Sequence, residues 1–173
     1  MIAPLALTMG EPAGIGGELT LLAWRRRQAE ALPPFFTLDD PARLEQLAAA
    51  LGWTVPLRRI AAPEETATLF PQALPVLPVA LSGVVAAGQP DPANAPAVIE
   101  AIRLAATLAG TGRAAALVTN PIQKETLYAA GFRHPGHTEF LAELAGGAEV
   151  AMMLACPELR VVPVTVHLPL RAA

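Results

Sequence analysis

Apolar residues along the chain follow two rhythms. Mainly apolar runs at residues 2–8, 35–38 and 114–119, with Gly, Pro, Asp or Asn close by, predict short buried strands. Longer stretches at 18–27, 41–51 and 93–108 carry apolar residues at helical spacing. In the last of these, Val98, Ile99, Ile102, Ala105, Ala106 and Leu108 form one packed face. Strand and helix therefore alternate, the order of an α/β sheet.

Weaker signals fill the remainder. A strand is expected near 54–57, a polar stretch at 62–68 and a Pro-punctuated extended run at 74–79. Asn120, Pro121 and Gln123 supply an N-cap, a first-turn proline and an N3 amide, predicting a helix from there to about residue 130, ended by Gly131. Thr138 is placed to cap a helix through 145, stopped by Gly146 and Gly147. Residues 150–154 and 159–166 read as two sheet strands.

Composition narrows the picture. With 173 residues, 53% hydrophobic and 16% charged, the chain holds enough apolar surface to fold, which excludes a disordered segment. Net charge is −3, and the basic residues are dispersed apart from Arg25-Arg26-Arg27 and Arg58-Arg59, so no positive face tracks a nucleic acid backbone. The single cysteine, Cys156, makes neither an internal disulfide nor a zinc cluster and fits a reducing cytoplasm. The apolar start lacks a basic leader and runs into a Gly/Pro loop, too short for a signal sequence or a membrane span.

Four places could carry chemistry. The loop from Gly10 to Gly17 joins a strand to a helix, where amides can meet a phosphate. Its spacing matches neither the dinucleotide G-x-G-x-x-G nor a nucleotide P-loop, and Glu11 would repel an anion, so a structural turn and a ligand contact both stay open. His137 and Thr138 stand where a loop becomes a helix and could donate to a bound anion; a plain cap and a surface histidine are the bland reading. His167 ends an apolar run at the carboxyl edge of a strand, where α/β sites gather, or is a satisfied structural histidine. Lys124 is a cation near the start of a helix, the unfavourable end of the dipole, which points to a compensating anion or to an ordinary surface lysine.

Taken together and in register, four blocks resemble the 4-hydroxythreonine-4-phosphate dehydrogenases: Thr8-Met9-Gly10-Glu11-Pro12-Ala13-Gly14-Ile15-Gly16, Val118-Thr119-Asn120-Pro121-Ile122-Gln123-Lys124, Gly136-His137-Thr138-Glu139-Phe140-Leu141 and Val164-Thr165-Val166-His167-Leu168-Pro169-Leu170. The resemblance spans nearly the whole chain. Gly17 stands where the family commonly has proline, and Ala95 where glycine is usual.

The resemblance implies a three-layer α/β/α fold like that of isocitrate and isopropylmalate dehydrogenases. It divides the chain into a first lobe at 1–120 and the start of a second, substrate-, metal- and dimer-forming lobe at 121–173. It implies NAD- or NADP-dependent oxidation of 4-phosphooxy-L-threonine, assisted by a divalent metal (Zn, Mg or Co), then decarboxylation to 3-amino-2-oxopropyl phosphate, in a cytoplasmic homodimer of the pyridoxal phosphate pathway. His137 and Thr138 match the family's substrate-binding pair and His167 the first of its metal-binding histidines; Lys124 matches a lysine of the second block and is a candidate catalytic contact. Cofactor-binding residues are not assigned. The family continues for about as long again, so the chain reads as an amino-terminal half, expected to be inactive alone and prone to self-association. Two alternatives share these residues: a dehydrogenase of threonate or erythronate 4-phosphate, and a non-catalytic anion-binding remnant.

Overall fold

The computed structural model describes residues 3–165 together with Pro169 and Arg171. Two units separate along the chain, Met1–Arg133 and His134–Ala173.

The first unit is an α/β sheet with helices on its faces. Its elements in order are β1 (Leu5–Thr8), α1 (Gly16–Arg26), β2 (Phe35–Asp39), α2 (Pro41–Ala50), β3 (Leu57–Arg59), α3 (Thr66–Leu69), β4 (Leu74–Pro78), α4 (Ala95–Gly110), β5 (Ala116–Thr119) and α5 (Lys124–Ala129). The strands lie in the order β3-β4-β2-β1-β5, and every neighbouring pair is parallel. Parallel strands need crossovers over a sheet face, which is the work of the intervening helices.

Alternation along β1 sorts the two faces. Leu5 and Leu7 pack against a core of Leu21, Trp24, Phe35, Leu44, Phe70 and Leu74. On the other side α4, which contacts β1, buries Val98, Ala101, Ile102 and Ala105. The Phe35 and Phe70 rings meet edge to face at 4.9 Å, and the Trp24 indole N–H donates to the Phe70 carbonyl at 3.0 Å, so the largest core side chain keeps its polar atom satisfied.

Local signals explain where elements begin. Asp40 caps α2 by accepting from the amides of Ala42 and Arg43, with Pro41 in the first turn. Asp91 instead caps a 3-10 turn at Pro92–Asn94, which moves the start of α4 to Ala95. The strand expected at 54–57 lies at Leu57–Arg59, because Pro56 has no N–H to donate, although its carbonyl accepts from Leu74. The polar stretch at 62–68 is a 3-10 turn running into the short α3.

The second unit is smaller. It holds α6 (His137–Leu144) and an antiparallel pair, β6 (Leu154–Ala155) and β7 (Arg160–Val161). These strands form a separate ribbon, much shorter than the runs at 150–154 and 159–166 predict. Cys156 and Leu159 close its turn by pairing their backbones, which fixes the register around residues 157 and 158. Cys156 is exposed on that turn. Among the described residues, no helix is long and apolar enough to cross a membrane.

Candidate functional site

Strand order reverses at β1. The chain leaves β1 for β2 on one side and returns, much later, to β5 on the other, with Thr8 opposite Thr119 in the ladder. Such a switch point opens the loops at the carboxyl ends of its strands towards one another. Here those loops are the glycine-rich block after β1 and the Asn-Pro block after β5.

The two blocks close directly onto each other. The Asn120 side-chain amide is buried and donates to the Thr8 carbonyl and to Thr20 Oγ1, both at 2.9 Å. The Glu11 amide donates to the Pro121 carbonyl at 2.8 Å. A Cβ on Gly10, whose φ is +68°, would stand 2.6 Å from that carbonyl oxygen, and one on Gly16 would stand 2.5 Å from the Met9 carbonyl oxygen. Glycine at Gly10 and Gly16 is what lets the backbones approach this closely.

This geometry decides the reading of the glycine loop. Besides the Glu11 amide, the Ala13 amide donates to Glu11 Oε1 and the Gly14 amide to the Glu11 carbonyl, so these donors are spent within the protein. From Glu11 to Gly14 the loop is a packed structural turn.

Engagement of Pro121 also corrects the helix expected from Asn120. With Asn120 turned to β1 and the Pro121 carbonyl holding Glu11, neither joins a helix. Gln123 becomes the N-cap, accepting from the Thr126 amide at 2.8 Å, and α5 starts at Lys124. Lys124 is exposed and is followed by Glu125, also in the first turn.

A buried ion pair braces the same loop from the other side. Arg43 Nη1 reaches both Asp39 oxygens at 2.7 and 2.8 Å, while Nε and Nη2 donate to the Pro12 carbonyl at 3.2 and 2.8 Å. Both side chains are almost wholly buried. Burial pushes the Asp39 carboxyl up from its ordinary value of 3.8, and the Arg43 guanidinium pulls against that rise. Reasoning from sequence missed Arg43 and the bridging role of Asn120. The available signals were an Asp and an Arg at helical spacing around Pro41, and a pair of glycines facing an Asn in a distant block.

In the second unit, His137 and Thr138 open α6. Thr138 is not the cap: Gly136, extended at φ −176°, holds that position without a side chain, and His137 is the first helical residue. Glycine can offer no capping oxygen, so the first-turn amides depend on other partners. His137 is half-buried and Thr138 exposed. Thr138 borders a cleft of about 580 Å³ whose walls include Glu139, Ala142, Met152, Val162 and Val164. The cleft thus joins the first turn of α6, with its Glu139 carboxylate, to an apolar wall.

His167 lies outside the described residues. Among the described residues no group of three His, Cys, Asp or Glu side chains is placed to hold a metal ion. These residues therefore do not assemble a cation site by themselves.

Comparison with known proteins agrees with these blocks. The family model for pyridoxal phosphate biosynthetic protein PdxA matches residues 31–173. The 4-hydroxythreonine-4-phosphate dehydrogenase of Bradyrhizobium diazoefficiens is 47% identical over 98% of this chain and 52% of its own length. That of Methylorubrum extorquens is 49% identical over 97% of this chain and 50% of its own. The crystal structure of the Burkholderia phymatum 4-hydroxythreonine-4-phosphate dehydrogenase superposes with a TM-score of 0.86 at 32% identity, covering 99% of this chain and 52% of that one. The chain spans about half the length of the curated relatives it matches. On the parallel sheet, the paired sequence blocks and the family match together, the chain belongs to the PdxA family, the pyridoxal phosphate biosynthetic proteins.

Proposed function

We propose that this chain supplies the amino-terminal part of a 4-hydroxythreonine-4-phosphate dehydrogenase site, acting in pyridoxal phosphate biosynthesis. The family match carries this reading, and the position of His137 and Thr138 on the opening turn of α6 supports it. The reaction is oxidation of the secondary alcohol of 4-phosphooxy-L-threonine, with hydride passing to NAD or NADP and a proton released. The resulting β-keto acid loses carbon dioxide to leave 3-amino-2-oxopropyl phosphate.

Within that reaction the chain's own residues bind and orient. The Thr138 hydroxyl and the His137 imidazole donate to substrate oxygens, while the positive end of the helix dipole favours the phosphate's charge. Lys124, exposed at the start of α5, is the candidate catalytic contact that the second sequence block implies. The expected ligand His167 would need further donors from elsewhere to hold a divalent metal, which would polarise the substrate alcohol. A homodimer and a cytoplasmic location complete the proposal.

The test is NADH or NADPH formation from 4-phosphooxy-L-threonine with a divalent cation present. It is run with this chain alone, then with the carboxyl-terminal half of a relative supplied separately. Turnover only on mixing supports a shared site. No turnover in either case, with substrate binding also absent, sinks the proposal, and faster turnover of threonate or erythronate 4-phosphate reassigns the substrate.

A further inference from the structure

Two consecutive side chains in the first turn of α6, Thr138 and Glu139, border the same cleft of about 580 Å³. An acid in a first helical turn is ordinary, because the positive end of the helix dipole favours it there. Its surroundings set Glu139 apart. It is half-buried, and the walls beside it are formed by such residues as Ala142, Met152, Val162 and Val164. Among the described residues that line the cleft, Glu139 is the only one whose side chain can carry a charge.

Among the described residues no basic side chain pairs with this carboxylate. The ion pair that α6 does make is at its other end, where Glu143 meets His134 at 3.4 Å. A carboxylate against apolar walls bears part of its desolvation cost until a donor meets it, and the same walls strengthen the pairing by excluding water. The cleft therefore favours a ligand with a positive group on a small carbon skeleton. One carboxylate is too few for a divalent metal, which takes several ligands in fixed geometry. An ammonium group, a single charge with three donors, is matched by one carboxylate and its polar neighbours.

4-Phosphooxy-L-threonine carries one such group, the ammonium on the carbon next to the alcohol that is oxidised. We propose that Glu139 binds this ammonium and makes the chain prefer an amino-acid phosphate to a hydroxy-acid phosphate such as threonate 4-phosphate. In threonate 4-phosphate a hydroxyl replaces the ammonium, so the contact loses its cationic donor and with it the strength of a charged pair. Thr138 on a substrate oxygen and Glu139 on the ammonium hold the skeleton at two points, which orients the alcohol carbon for hydride loss. This inference rests on the substrate site proposed above.

Calorimetric titration of this chain, alone and with the separately supplied carboxyl-terminal half of the Bradyrhizobium diazoefficiens relative, compares the two phosphates. The unsubstituted chain should prefer 4-phosphooxy-L-threonine roughly tenfold or more. Glu139→Gln keeps the shape and an acceptor oxygen but not the charge. It should weaken 4-phosphooxy-L-threonine roughly tenfold and leave threonate 4-phosphate unaffected, whereas Glu139→Asp, which keeps the charge, should retain a preference. Glu143→Gln, on the same helix but not among the cleft residues, should bind as the unsubstituted chain does, with far-UV circular dichroism unchanged in all three variants. Equal binding of the two phosphates by the unsubstituted chain, a preference that survives Glu139→Gln, or an equal loss of both ligands in that variant would overturn the proposal and leave the substrate site standing. Failure of the unsubstituted chain to bind either phosphate would instead sink the site itself, and the role of Glu139 with it.

Discussion

Asn120 donates to Thr20 Oγ1 at 2.9 Å across a separation of 100 residues, tying the exit of β5 to the first turns of α1. The same amide holds the Thr8 carbonyl, so one small side chain fastens three segments at the switch point. Asn120→Ala should remove both bonds at a buried site, lowering stability by about 2–3 kcal/mol. Chemical denaturation should show a lower midpoint with an unchanged slope. A loss under about 0.5 kcal/mol would mean that these bonds are not formed in solution.

Gly10 and Gly112 both adopt positive φ, +68° and +74°, but only Gly10 is crowded. Gly112→Ala meets nothing within 4 Å and should cost only about 1 kcal/mol of backbone strain. Gly10→Ala adds a Cβ 2.6 Å from the Pro121 carbonyl oxygen and should cost roughly 2–3 times as much. Paired thermal melts check the ratio, and equal losses would contradict the close approach of the two loops.

The Asp39–Arg43 pair predicts a marked asymmetry. Arg43→Ala strands a buried carboxylate and frees the Pro12 carbonyl, and should cost about 3–5 kcal/mol. Asp39→Leu combined with Arg43→Met removes both charges and should recover much of that loss. A double variant as unstable as Arg43→Ala would show that the Pro12 contact, not the charge pairing, dominates.

At the surface, Arg113 grips Glu64 through two hydrogen bonds of 2.8 and 2.9 Å and holds its carboxyl down to about 2 from the ordinary 4.5. A depressed carboxyl stabilises the fold above its unfolded value. That contribution should be present in full above about pH 4.5 and fade as pH falls towards 2. The pair is exposed, so its effect should be small and should shrink with salt. Carbon-detected NMR titration should return Glu64 towards 4.5 in Arg113→Ala; an unchanged titration would show that the pair does not form.

Much of this architecture was legible in the residues. The apolar runs around Leu5, Phe35 and Val118 are buried in a parallel sheet or form its edge, and Asp40-Pro41 marks the start of α2 within a residue. What escaped were features that depend on contact between distant segments. Asn120-Pro121 has the local chemistry of a helix start, but tertiary bonds to Thr8, Thr20 and Glu11 take both residues out of the helix. Thr138 has a capping hydroxyl, yet the extended Gly136 before it sets the first turn two residues earlier. The glycine loop could not be assigned from spacing alone, because its role rests on which groups its amides meet. Arg43 lies inside the stretch expected to be helical at 41–51 with no local sign of its role, and only the fold reveals the buried carboxylate and carbonyl it serves.

The central claim, that the opening of α6 grips a phosphorylated substrate, is tested most directly by following the His137 imidazole by NMR during titration with 4-phosphooxy-L-threonine. A saturable shift of the His137 ring signals is expected, weakened roughly tenfold in Thr138→Ala, the equivalent of about 1.4 kcal/mol, one charge-assisted hydrogen bond. Ring signals that stay put up to millimolar substrate, with and without a co-expressed carboxyl-terminal half, would contradict the account.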